Sequence, residues 1–246
     1  MSDSEFEASF PPLFTGLEVS STIDPFAKAC SQAALGCDSG LIAYNLAANR
    51  LAAAIVFSPE VALADSMAML PVCGIGFQNA LGALAPPEVS VHLDWTGGIF
   101  VNGASCGELK ASASSTDEKA VPDWLVVGLT VPILLPDSER PGADPGRTCL
   151  FEEGCADISP TGLLESWSRH TLVWINRWHE DGLEPVHREW RGLARGLGEE
   201  ISMDWHGERL DGKFLGVDEQ FNMLLRTGAR TRLLKLCGLL TGGSAL

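Results

Sequence analysis

The chain has 246 residues, with 17 Lys+Arg against 32 Asp+Glu, seven cysteines and 46% hydrophobic residues. That length and apolar content support one large domain, or one with a small appendage, and exclude a disordered chain. The net charge of −15 argues against nucleic acid as a partner, because phosphates are repelled rather than exchanged for counterions. The longest strongly apolar run, Leu125 to Leu135, is eleven residues with Pro132 inside it. A bilayer needs about 20 residues, so no membrane association is expected. The stretch Met1-Ser2-Asp3-Ser4-Glu5 lacks the basic and apolar regions of a signal peptide, which makes a cytoplasmic location the expectation. The cysteines are odd in number and form no C-x-x-C pair, so they read as reduced thiols rather than as a disulfide or metal framework.

Taken in chain order, residues 1–10 read as a loose acidic tail. Asp24 caps a helix with Pro25 at its first position, running through Ala33. Leu41–Leu46 and Leu51–Phe57 are strands joined by Ala47-Ala48-Asn49-Arg50. Glu60–Leu70 and Gly74–Leu84 have helical spacing, separated at Pro71, and Pro86-Pro87 closes that stretch. Val89–Leu93 alternates as a strand. Gly98–Val101 runs into Asn102-Gly103, a strong hairpin signal, with Gly107–Ala113 returning. Ser114–Asp123 is a polar loop, Trp124–Leu135 a buried strand, and Asp137–Arg147 a mobile loop. Ser159-Pro160 opens the clearest helix, whose apolar face is Leu164, Trp167, Thr171, Trp174 and Trp178. A shorter helix follows from Glu184-Pro185 with Val186, Trp190 and Leu193. After Gly198 the pattern changes to short strands: Ile201–Trp205, Lys213–Val217, Met223–Arg226 and Thr231–Leu236. Charge changes at the same place: His187–Leu246 holds nine basic and eight acidic residues, leaving eight basic against 24 acidic before it.

Common motifs fail on context. Gly103-Ala104-Ser105-Cys106-Gly107 matches G-x-S-x-G, but a nucleophile elbow needs a helix directly after the serine, and Glu108–Ala113 alternates like a strand. Gly74-Ile75-Gly76 lacks a third glycine and does not follow a strand. The five histidines show no H-x-x-x-H spacing, so no zinc site is expected.

Several pieces in sequence order carry a family resemblance. Asp94-Trp95-Thr96-Gly97-Gly98-Ile99-Phe100-Val101-Asn102-Gly103, with Gly107 beyond, resembles the K-W-P-N-D-L-x-V-N-G…G segment of biotin–protein ligases. Trp124–Val131 is similar to their V-x-G-I-G-I-N-V strand, and Trp190-Arg191 with Leu197-Gly198 to their W-R…L-G segment. Gly212–Leu225 is similar to the start of their C-terminal SH3-like barrel. The resemblance implies an α+β fold: a mixed sheet flanked by helices over residues 11–199, and an SH3-like barrel over 200–246. It implies biotin or a related acid and ATP as ligands, an acyl-adenylate, and transfer to a lysine on a carrier protein. Asp94, Trp95, Thr96, Gly97, Gly98, Asn102, Gly103 and Gly107 are then the ligand-binding candidates.

The chain departs from this pattern where charge is needed. The family's G-R-G-R-x-G-R loop is replaced by Ala47-Ala48-Asn49-Arg50, the motif lysine by Asp94, and Pro-Asn-Asp by Thr96-Gly97-Gly98. The implied function is therefore a scaffold kept for binding or regulation, holding a small acid-free ligand or a carrier domain near Trp95 and Asn102-Gly103. The alternative is a biotin-, lipoate- or octanoate-type ligase or transferase acting on a carrier lysine, with Lys110 and Cys106 as the candidate catalytic residues. A hydrolase built on Ser105 stands third. Arg226, Arg230 and Arg232 form a basic cluster that packs on the body or serves a partner or homodimer contact.

Overall fold

Helix α1 (Pro25–Ala34) begins as its sequence dictates: Asp24 accepts a hydrogen bond from the Phe26 amide at 3.1 Å, and Pro25 occupies a position with no intrahelical acceptor to lose. The computed structural model describes residues 8–135 and 144–241. Most of the acidic tail expected over residues 1–10, and most of the loop expected over 137–147, therefore lie outside the described residues.

The main body is a seven-stranded mixed sheet. Its strands are β1 (Thr15–Glu18), β2 (Leu41–Ala47), β3 (Arg50–Phe57), β4 (Val91–Leu93), β5 (Gly98–Val101), β6 (Ala104–Ala113) and β7 (Leu125–Pro132). They lie in the order β1-β2-β3-β7-β6-β5-β4, with β1 parallel to β2 and every other pair antiparallel. One face carries Ile42, Tyr44, Ile55, Val127 and Leu129 into the main core beneath helices α3 (Met69–Leu84) and α4 (Pro160–Asp181). The opposite face carries Ala43, Ala54, Val56 and Val126 against Ala29 and Ala33 of α1. The alternation of side chains across each strand makes this division.

Helix α4 starts at Ser159, whose hydroxyl accepts from the Gly162 amide at 3.0 Å. Its tryptophans fill the seam with α3 and still satisfy their indoles: Trp167 donates to the Cys73 carbonyl at 3.0 Å, and Trp174 to Asn79 Oδ1 at 2.8 Å. Helix α5 (Glu184–Leu193) buries Val186 and Trp190.

Two expectations need correction. The region Glu60–Leu84 does not break at Pro71. It holds a single turn, α2 (Leu63–Ser66), followed by α3, and Pro71 lies in the first turn of α3. A proline there removes no intrahelical bond, so the helix runs through it. Strand β1 has no counterpart in the sequence reading. Residues 63–84 also have the length and hydropathy of a bilayer-crossing segment, but most of that stretch is buried as core.

The C-terminal strands are β8 (Glu200–Trp205), β9 (Glu208–Val217), β10 (Met223–Thr227) and β11 (Arg230–Leu234). They form a four-stranded antiparallel sheet in chain order.

Candidate functional site

The segment Asp94–Gly98 joins β4 to β5 as a tight turn held by one carboxylate. Asp94 Oδ1 accepts from the Thr96 amide at 2.9 Å, the Thr96 hydroxyl at 2.8 Å and the Gly98 amide at 2.8 Å. Gly97 has φ +99°, and its carbonyl accepts from the Leu109 amide at 2.7 Å. A Cβ on Gly97 would stand 2.3 Å from the Leu109 carbonyl oxygen, so only glycine fits this approach. Thr96 is exposed at the tip.

Trp95 turns away from this turn toward the C-terminal unit. Its side chain is 4% exposed, its indole donates to the Phe221 carbonyl at 2.7 Å, and its ring lies 5.4 Å from that of Trp205. The pocket expected beneath Trp95 is a cavity of about 20 Å³ lined largely by apolar side chains, among them Leu70, Leu93, Leu109, Trp190 and Phe221. That is room for about one water, not for an acyl group.

Asn102 and Gly103 form the β5–β6 turn with φ +49° and +92°. Asn102 is tied on both sides, accepting from the Ser90 amide at 3.0 Å and donating to Glu153 at 2.7 Å. Gly107 lies in the β6 segment where the register with β5 shifts. The turn at Asn102 is thus a structural corner, away from Asp94–Gly98.

The two catalytic candidates fall on opposite faces of the sheet. Cys106 is fully buried in the main core; burial above all, with Cys149, Glu153 and Cys155 nearby, pushes its thiol far up. A thiol so held is no nucleophile at neutral pH. Lys110 is on the α1 face, 3.6 Å from the Asp24 carboxylate and 4.4 Å from the centre of the Phe26 ring. Ser105 is followed by strand rather than helix, and its amide donates to the Gly146 carbonyl at 2.9 Å.

The α1 face holds a row that the sequence reading passed over. Asn45, Ala52, Thr130, Glu108 and Gly98 are successive partners across β2, β3, β7, β6 and β5. At about 4.8 Å per strand the row spans roughly 19 Å. Asn45 is 6% exposed; its Nδ2 donates to the Val19 carbonyl at 2.9 Å, while its Oδ1 is buried without a partner among the described residues. An orphaned acceptor of this kind costs about 1–3 kcal/mol unless a ligand supplies a donor. One row further, Arg50 shares the face by alternation, exposed and without an ion pair among the described residues. The signal was present: Asn45 is the one polar residue in an otherwise apolar strand.

The connection from β2 to β3 completes the site. Ala47 pairs directly with Arg50, so the turn is two residues, Ala48 and Asn49. Among the described residues no group of His, Cys, Asp and Glu is placed to hold a metal.

Comparison with known proteins agrees with this architecture. A structure of a biotin protein ligase-like protein of unknown function from Silicibacter sp. TM1040 is 53% identical, covering 96% of this chain and 100% of that one, with a TM-score of 0.89. A biotin-bound variant of biotin protein ligase from Aquifex aeolicus shares the fold at 15% identity, covering 91% and 96%, with a TM-score of 0.71. The biotin–[acetyl-CoA-carboxylase] ligase of Paracoccus denitrificans is 24% identical over 201 residues, 80% of this chain and 82% of that protein. Residues 197–242 match a domain of unknown function, DUF4444. Since the model of the biotin/lipoate A/B protein ligase family matches residues 10–192, the chain belongs to that family.

Proposed function

We propose that this chain binds a biotin- or lipoate-type acyl group, free or on its carrier domain, and does not activate it with ATP. Asp94 carries the reading. It stands where the resemblance puts a lysine, and its carboxylate is spent on holding its own turn. Joining a carboxylate to a triphosphate requires cations aimed at the developing charge. Changing lysine to aspartate turns an attraction into a repulsion, each about 4 kcal/mol at 4 Å for an effective dielectric near 20. Even heavily discounted, that lowers adenylation by orders of magnitude.

Other features support the same reading. A two-residue turn between β2 and β3 has no room for an arginine-rich loop. Lys110 already faces Asp24. Arg50 remains, and one guanidinium suits one carboxylate rather than a triphosphate. The C-terminal sheet is read here as an SH3-like unit that braces the Asp94–Gly98 turn through Trp95.

Titration calorimetry with biotin, lipoate and ATP, with pyrophosphate release followed in parallel, tests the proposal. The expected result is binding of an acid or its carrier-linked form without ATP, weakened at least about tenfold (1.4 kcal/mol) in Arg50→Ala. Tight binding of ATP and acid together, with pyrophosphate released, overturns it.

A further inference from the structure

We infer that the ligand of this chain is a free amino acid, a lysine whose side-chain nitrogen already carries the acyl group, with its charged head held by Arg195 and Glu199. The inference deepens the ligand reading above and rests on it. It starts from what lies at the far end of the row that begins at Asn45.

Burial falls along that row. Asn45 and Ala52 are buried, Thr130 and Gly98 are half-buried, and Glu108 is exposed. A ligand laid along it hides one end at Asn45 and brings the other out over β5. Phe100 stands on the same face two residues past Gly98, because Ile99 and Val101 point into the main core. His92 and Ser105 are its partners across β4 and β6. The guanidinium of Arg195 lies over the Phe100 ring at 3.8 Å, and the Arg195 amide donates to the Leu93 carbonyl at 2.8 Å. Held by stacking and by its backbone, Arg195 is exposed and makes no ion pair among the described residues. Its in-plane N–H groups suit a carboxylate, two bonds at once. Beside it is an open cleft of about 370 Å³, lined by His92, Phe100, Arg195, Leu197 and Glu199 among others.

The charges around this cleft decide what the head group is. On the acidic side, Glu199 lines it, Glu108 is exposed in the row, and Asp94 Oδ2 lies where a Cβ on Gly98 would stand 2.6 Å from it. The cations among the described residues are Arg195, His92 and, beside Ser105, Arg147, whose own turn also holds Asp144. So mixed a lining matches neither a bare anion nor a bare cation; it matches a group carrying a carboxylate and an ammonium side by side. Length agrees. Asn45 and Phe100 are separated by four strand steps and two residues along β5, about 20 Å on a flat sheet. A carbon chain advances roughly 1.25 Å per bond, so a five-carbon acid with a ring at its end covers about half of that distance, and lysine adds about 8 Å. The former carboxyl carbon is then an amide carbonyl, which still accepts from Arg50. A lysine inside a carrier domain has its α-amino and α-carboxyl groups in peptide bonds and offers neither charge. Complete proteolysis of an acylated carrier releases both, so a peptidase reaction supplies this ligand.

Titration calorimetry on the full chain tests this with three probes for each acyl group. They are the acid itself (biotin or lipoate), its Nε-lysine amide as the free amino acid, and the same amide in a short peptide blocked at both ends. The free acyl-lysine of one acyl group is expected to bind at least about tenfold more tightly than the matching acid and the matching blocked peptide. Arg195→Ala and Glu199→Gln, each folded by circular dichroism, bring that preference close to unity. Equal affinities for the three probes, tighter binding of the blocked peptide, or a preference that survives either substitution overturns the inference and leaves the ligand reading standing. Failure of every probe to bind overturns the ligand reading, and this inference with it.

Discussion

Asp94, where the resemblance puts a lysine, gives its carboxylate to its own turn. Asp94→Lys removes three accepted hydrogen bonds. It should lower stability by about 1–3 kcal/mol in urea denaturation, while ATP–pyrophosphate exchange stays absent. Exchange appearing in that variant would show that one lysine was all the chemistry lacked. Gly97→Ala forces a Cβ to within 2.3 Å of a carbonyl oxygen at φ +99°. A loss of about 2–4 kcal/mol in urea denaturation is expected. At this scale the sequence was partly legible. The charge reversal at Asp94 could be read from its neighbours in the motif, but its use as a cap could not, since that depends on the turn's closure. The partner of Trp95 was hidden for a different reason: Phe221 lies 126 residues away, and no local pattern encodes such a contact.

Among the elements, α4 was the most readable, because its cap, its proline and its tryptophan stripe all agree. Strand β1 was the least. Its four residues are mostly exposed and pair in parallel with β2, so they carry no alternation. Proline at 71 misled because its effect depends on its place in the helix, which depends in turn on where α3 begins. The α3–α4 seam allows a prediction with an unusual sign. Exchanging a helical glycine for alanine normally gains about 1 kcal/mol. A Cβ on Gly76, however, would lie 2.5 Å from Thr171 Oγ1 and 3.0 Å from the Thr171 backbone. Gly76→Ala should instead lose about 1–3 kcal/mol by thermal unfolding; a gain would show that the helices separate freely.

For the whole molecule, the buried thiols set the response to alkali. Burial raises Cys73 and Cys106 far above the ordinary 9.0 and pushes Cys237 up to about 11. Above pH 9 the unfolded chain releases these protons while the folded chain keeps them. The unfolded state then binds fewer protons, so stability falls as pH rises from 9 toward 11 and is insensitive to these groups below that range. Melting temperatures measured from pH 8 to 11 should show the decline, and Cys237→Ser should make it shallower. The indole bolted across the seam also has an optical corollary. Trp95 donates to the Phe221 carbonyl and lies beside Trp205, while Trp190 meets the Phe221 ring edge-on, so the emission of the buried Trp95 and Trp190 is tuned by a dry aromatic setting. A red shift in fluorescence with the far-ultraviolet signal intact would therefore mark the moment when the two halves part while each remains folded.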